Sequence, residues 1–474
     1  MTETHEPHYT ENVQDHLQQV QHLLENQALA ESVVHQQDIP HTERHVTELR
    51  EKLSVLHPAD IAYILEALPI DQRLLVWNLV KAERDGEILI EVSDAVRESL
   101  IATMSRDELR EAAEQLDTDE IADLAPDLPL GVMRDVFKSL SIEEREQLRA
   151  AMSYPENAVG ALMDFDMVTI REDVTLEVVS RYLRRFDELP DHTDQLFIVD
   201  RDDRFKGVLP LNRLLVNEPE LEVAGLMIVE TITLHPDDKA DQAAHAFERY
   251  NLVSAPVVDE DGNLLGRVTV NTVMDFIRAE SESDVLNLAG LREEEDIFAS
   301  VWKSAKNRWL WLALNLCTAF FASRVIGSFE GTIGKFVALA TLMPIVAGIA
   351  GNSANQTTTI IIRSLALGQI TPANARRMIN KELAIGALNG LVWGGVAGLF
   401  AYLLYQNILL GIILTSAILL NLLLGAMAGL LIPLSMQRMG RDPAIGSSVM
   451  LTAITDSGGF FIFLGLSTIF LTHQ

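Results

Sequence analysis

One cysteine, Cys317, stands among 474 residues, so an intrachain disulfide is excluded. It lies in an apolar run without a basic neighbour to lower its pKa, and it reads as a small core or lipid-facing residue rather than a reactive thiol. Bases are scarce as well: 37 Lys+Arg face 68 Asp+Glu, for a net charge of -31. A surface of that sign repels phosphates, which argues against a nucleic-acid partner and favours cations. The chain also lacks a Gly-rich, Lys-bearing phosphate loop and a nucleophile constellation, so neither ATP hydrolysis nor enzymatic chemistry is expected. The opening MTETHEPHYTENVQDHL has no basic start and no apolar stretch, so no signal peptide is expected and the first 300 residues are placed in the cytosol.

The charge is unevenly spread. Residues 301-474 hold 11 bases and 4 acids, a net +7, leaving -38 on the first 300. An acidic, water-soluble part joined to an apolar, mildly basic one excludes a single globular domain. Five apolar segments, near 309-329, 336-362, 383-405, 408-434 and 444-471, each reach the roughly 20 residues a helix needs to cross a bilayer. With residue 300 on the cytosolic side, the inner flanks collect nine bases and the outer flanks only Arg324 and Lys335. That distribution follows the positive-inside rule and places the C-terminus outside the plasma (inner) membrane.

Residues 1-45 are polar, rich in His and Gln, and read as a frayed helix or tail. Residues 46-160 read as a helical domain of short stacked helices, because LHPADIAYILEALP (56-69) repeats as LDTDEIADLAPDLP (116-129). A second repeat pairs FIVDRDDRFKGVLPLNRLL (197-215) with PVVDEDGNLLGRVTVNTVM (256-274), each copy reading strand, helix, strand, turn, strand, helix. This tandem resembles a pair of CBS modules, at 161-221 and 222-281. An acidic segment, 282-300, reads as a connecting helix before the membrane domain, 301-474.

Asp456 is the acid that stands apart. It lies 12 residues past Ala444 and 15 before Leu471, about 18 Å into the last span at ~1.5 Å per residue. An ionised Asp at that depth costs on the order of 3 kcal/mol, so it should face a water-filled path. The second span interrupts its apolar run with Pro344, Gly348, Gly351, Asn352, Asn355 and Gln356, which predicts a broken helix lining a cavity. Amide, carbonyl and carboxylate oxygens without Cys or His suit a hard cation. One Asp per chain cannot replace the water shell of Mg²⁺, but two Asp456 carboxylates across a twofold axis can hold the hydrated ion, which predicts a homodimer.

The stretches SYPENAVGALM (153-163), LAGLREEEDIFASVWKSAKNRWLWLALN (288-315), MPIVAGIAGNSANQTTTIIIRSLALG (343-368) and LTAITDSGGFFIFLGL (451-466) are similar to the MgtE family of magnesium transporters. The resemblance implies a homodimeric, Mg²⁺-selective, channel-like transporter in the lipid bilayer, needing no other protein partner and closed by its cytosolic domains when Mg²⁺ is high. It puts Asp456 on the family's ion-binding pore Asp, and Asp284 on its connecting plug helix. Asp241, Asp275, Glu280 and Asp284 are the candidate regulatory Mg²⁺ ligands. Asn251 and Thr272 stand where members can carry acids, which predicts weaker or shifted Mg²⁺ inhibition. CBS modules that hold a ribose usually place an Asp three residues after a Ser or Thr; Pro210/Arg213 and Thr269/Thr272 supply none, so ATP is not expected as a ligand. His41 and His45, four apart, read as solvated residues before soft-metal ligands. The alternatives are a broader transporter accepting Mn²⁺, Co²⁺ or Ni²⁺, and a membrane-anchored CBS sensor.

Overall fold

The computed structural model describes residues 9-33, 39-80, 82-291, 296-366, 369-370, 372-443 and 446-471. They form two compact units, one of Met1–Glu280 with Asp296–Ala299, the other of Ser281–Glu295 with Ser300–Gln474.

The first unit begins with helices. Short helices follow one another because Pro and capping residues stop and restart the backbone: Ser105/Glu108, Asp117/Glu120 and Ser141/Glu144 each form a reciprocal capping box. The identities of the internal repeat are core positions, with Leu56, Ile61 and Leu68 buried in one copy and Leu116, Ile121 and Leu128 in the other. Of the two readings of residues 1-45, a frayed helix or a tail, the described part includes helix α1 (Tyr9–Val33), which is docked rather than frayed, since its Val20 and Leu24 are buried in the same core. Two apolar residues four apart suffice to dock a helix, but they barely register among Gln and His. The side chains of His41 and His45 lie outside the described residues.

Each CBS module is built on a hairpin. Strand β1 (Thr169–Arg171) runs parallel to β2 (Gln195–Val199), which pairs antiparallel with β3 (Phe205–Pro210); β4 (Ser254–Val258) and β5 (Leu264–Thr269) pair the same way. The repeated Asp motifs make equivalent turns. Asp200 Oδ1 accepts from the backbone N–H of Asp202 and Arg204, and Asp259 Oδ1 from that of Asp261 and Asn263. The strand expected to open the second copy shrinks to one parallel bridge, Leu234 to Val257. The expected connecting helix is also displaced: helix α2 (Val270–Ala289) begins within the second module, and Asp296–Ser300 is not helical.

The second unit contains α3 (Val301–Gly327), α4 (Ala338–Ala366), α5 (Pro372–Tyr405), α6 (Ile408–Arg438) and α7 (Ser447–Leu471). Among the described residues α3, α6, α7 and residues 376-405 of α5 are long and apolar enough to cross a membrane. Helix α4 is long enough, at 29 residues or about 43 Å. Small residues let these helices meet backbone to backbone. A Cβ at Gly390 of α5 would lie 2.6 Å from Leu419 of α6, and one at Gly398 only 2.5 Å from the Gly411 carbonyl oxygen. Gly425 and Gly429 of α6 meet Ala354 and Thr358 of α4 in the same manner. Pro433, inside α6, has no N–H for the Gly429 carbonyl. The Thr358 hydroxyl donates to that oxygen at 3.2 Å and replaces the missing bond.

Candidate ion pathway

Helix α4 is continuous through Pro344, which corrects the expectation of a broken second span. Proline deletes one backbone donor, whereas unwinding in an apolar medium would orphan several groups, so the intact helix is the cheaper conformation. Its polarity is expressed on one face instead. Pro344, Gly348, Asn352, Asn355, Gln356 and Thr359 are exposed, while Met343, Val346, Ala347, Ala350, Ala354, Thr357 and Thr358 between them are buried. Spacings of three and four put the exposed set in a single stripe, with amide oxygens and nitrogens toward its middle. Gly351 sits at the edge of this stripe, where an added Cβ would lie 3.7 Å from Thr455 Oγ1 of α7.

The next residue is Asp456. Its side chain is half-buried, and among the described residues it has neither an ion-pair nor a hydrogen-bond partner. Thr452, one turn earlier, is exposed. Of the pore residues named from sequence, Gly351 turns inward and meets α7 beside Asp456, while Pro344, Gly348, Asn352, Asn355 and Gln356 lie along the exposed stripe of α4.

Two polar side chains in this unit escaped sequence reading. Glu382, which the span boundaries put at a helix start, lies ten residues inside α5 and is only 6% exposed; the Thr357 hydroxyl donates to its Oε2 at 3.0 Å. Asn421 of α6 is fully buried and donates through Nδ2 to the Val346 carbonyl of α4 at 3.1 Å. A polar residue within an otherwise apolar stretch was the available signal for Asn421, whereas Glu382 follows Asn380 and Lys381 and carried no such mark.

The candidate regulatory acids are less concentrated. Asp241 is exposed in the first turn of the helix Ala240–Tyr250, while Asp275, Glu280 and Asp284 follow one another on α2. Among the described residues no three His, Cys, Asp or Glu side chains converge as a metal site. Asp275 acts electrostatically on Glu91, a residue the sequence did not single out. Burial and then the Asp275 charge raise the Glu91 carboxyl above its ordinary value, against the pull of His57 and Arg278. A second meeting of acids involves Asp119, which burial and the neighbouring Asp164 push up to about 7. Asp164 is itself raised by burial, although buried Arg267 holds it at 2.8 Å. The dense acids of DTDEIADLAPD were the sequence signal for this group.

A carboxyl whose pKa is higher folded than unfolded holds its proton more tightly in the fold. Its stabilisation is complete below the unfolded value near 3.8 and is lost as pH rises through about 7. The thermal midpoint of the helical domain should therefore rise as pH falls from 7.5 to 5. Asp119→Asn should flatten that rise, and an unchanged slope by calorimetry would contradict the assignment.

The departures from family pattern have local causes. Asn251 ends its helix at φ 50°, a left-handed position that Asn tolerates well. Thr272 exchanges a hydrogen bond with Thr269 across 3.0 Å, and Arg213 donates to the Leu226 carbonyl at 2.7 Å.

A membrane unit with one amide-rich stripe beside an unpaired carboxylate, attached to a CBS pair and an acidic helical domain, defines a transporter of hard cations. Residues 343–466 match the model "MgtE: Divalent cation transporter", residues 56–157 the MgtE intracellular N domain, and residues 159–218 and 223–279 the CBS domain. The magnesium transporter MgtE of Thermus thermophilus is 30% identical over 89% of this chain and 95% of the relative; that of Bacillus subtilis is 25% identical over 90% and 94%. The chain belongs to the MgtE family of magnesium transporters. Among solved structures it is similar to the cytosolic domain of the Mg²⁺ channel MgtE in complex with ATP, at 31% identity, over 48% of this chain and 93% of that one, TM-score 0.44.

Proposed function

We propose that the chain conducts Mg²⁺ down its electrochemical gradient as a homodimer of the plasma membrane, with five spans, its N-terminal domains in the cytosol and its C-terminus outside. The observation that carries this reading is the unpaired Asp456 beside the α4 stripe. A carboxylate and a row of amides in an apolar unit are stable only against water, an ion or a second copy of the same surface. Two such surfaces around a twofold axis supply two carboxylates and leave space for an ion with its waters. Recognition through water layers is compatible with Mn²⁺, Co²⁺ or Ni²⁺ as secondary cargo.

Closure by intracellular Mg²⁺ follows from the acids. Burial raises the carboxyls of Glu91, Asp119 and Asp164, and the charges of Asp275 and Asp164 raise Glu91 and Asp119 further, so like charge acts on both. A divalent cation relieves that repulsion and stabilises the arrangement that holds them close, so the state it favours gains population as Mg²⁺ rises. Candidate ligands are Asp241, Asp275, Glu280 and Asp284, joined by Glu91. Purified protein in liposomes should take up Mg²⁺ without an energy source. Raising Mg²⁺ on the face bearing the N-terminal domains should reduce that flux, with a midpoint displaced upward from that of relatives acidic at the Asn251 and Thr272 positions. Absence of gradient-driven uptake would sink the channel reading, and flux indifferent to Mg²⁺ would sink the gate alone.

A further inference from the structure

Asn421 lies in the most thoroughly packed helix of the membrane unit, away from the exposed stripe, and yet it touches both helices that form the pathway. Its Nδ2 donates to the carbonyl of Val346, two residues past Pro344 on α4. The same amide end meets Gly459 of α7, one turn beyond Asp456: a Cβ there would fall 2.2 Å from Asn421 Nδ2 and 2.9 Å from Cγ, so glycine is required for this approach. The Asn421 Oδ1 is buried and has no hydrogen-bond partner. Leucine has the same number of side-chain heavy atoms and would leave no acceptor unsatisfied in an apolar setting. Ordinary packing therefore does not account for an amide here.

The amide has one geometric consequence. A hydrogen bond to α4 and a close contact with α7 fix, through a single rigid side chain, how far the Gly348–Asn352 part of the stripe stands from Asp456. A hydrated divalent cation is sorted by that spacing, because its water shell must fit between the oxygen atoms on either side. We propose that Asn421 is a specificity-determining positioning residue, which sets the separation of the α4 stripe from Asp456 and thereby the preference for Mg²⁺ over larger divalent ions. The inference rests on α4 and α7 being the walls of the ion path.

The test is liposome uptake of Mg²⁺ and Mn²⁺ in parallel by wild type, Asn421→Leu, Asn421→Ser and Gly459→Ala. Losing one hydrogen bond between membrane helices corresponds to roughly a three- to tenfold effect. The expected result is a shift of that size in the Mg²⁺:Mn²⁺ ratio for Asn421→Leu and Gly459→Ala, with Asn421→Ser closer to wild type. Gly459→Ala changes no polar group but presses on the same contact, so it should reproduce the altered ratio. A wild-type ratio in every variant that assembles, whether or not total flux falls, overturns the proposal and leaves Asn421 a packing residue. Asp456→Ala run alongside keeps the two readings separate: if it retains flux, the pathway itself is wrong, whatever Asn421 does.

Discussion

Asp456→Ala should lower Mg²⁺ flux into liposomes by about a hundredfold or more. That factor corresponds to about 2.7 kcal/mol, the scale of one or two charge-assisted hydrogen bonds lost from the bound ion. Asp456→Asn keeps the shape and removes the charge, so its flux should fall almost as far. A purely steric role would spare it. Asp456→Glu keeps the charge but moves it outward by one methylene, and an intermediate flux is expected. The side chain lacks any ion-pair or hydrogen-bond partner among the described residues, so none of these changes should cost the fold much. Thermal midpoints of the three variants should stay near that of wild type. Undiminished flux through Asp456→Ala in folded protein would remove the assignment.

How much of this was legible in the sequence depended on how far each feature departs from its surroundings. Asp456 was visible because a charge among apolar residues has few innocuous explanations, and the α4 residues because Asn and Gln recur there at helical spacing. The repeat positions Leu56/Leu116, Ile61/Ile121 and Leu68/Leu128 were visible for the complementary reason: burial of the same face twice retains the same residues. The break at Pro344 was misread because sequence shows the missing donor but not the neighbouring helices that stabilise the rest of the turn. The Thr358 hydroxyl on the Gly429 carbonyl shows how such a deficit is met across a helix pair. Glu91, Asp119, Glu382 and Asn421 were missed because their roles come from partners 25 or more residues away, and local spacing holds no record of those contacts.

The ion pair of Arg73 with Asp296 is the extreme of that kind, 223 residues apart in sequence. Arg73, on the helix Ile70–Trp77, is fully buried; it donates through Nε to the Leu65 carbonyl at 2.9 Å and through Nη1 to Ser99 Oγ at 3.3 Å. Both terminal nitrogens also reach the Asp296 carboxylate, at 2.7 and 3.2 Å, and that side chain is 7% exposed. Asp296 stands five residues before Val301, where the first apolar helix begins. Removing one member of a buried pair strands the other charge, at about 3–5 kcal/mol. Asp296→Ala should therefore weaken the helical domain by that amount and speed hydrogen exchange of the Ile70–Trp77 helix by roughly two to four decades. Arg73→Met combined with Asp296→Leu should recover much of the loss, because an apolar pair of similar volume leaves no charge unsolvated. Wild-type exchange in Asp296→Ala would show that the carboxylate is not seated on Arg73. Recovery in the double variant, with exchange restored, would show that the pair contributes through mutual neutralisation rather than through a net gain over apolar packing. In that event its retention points to register, holding residues 296-299 at one place on the helical domain, where an apolar pair would let them slide.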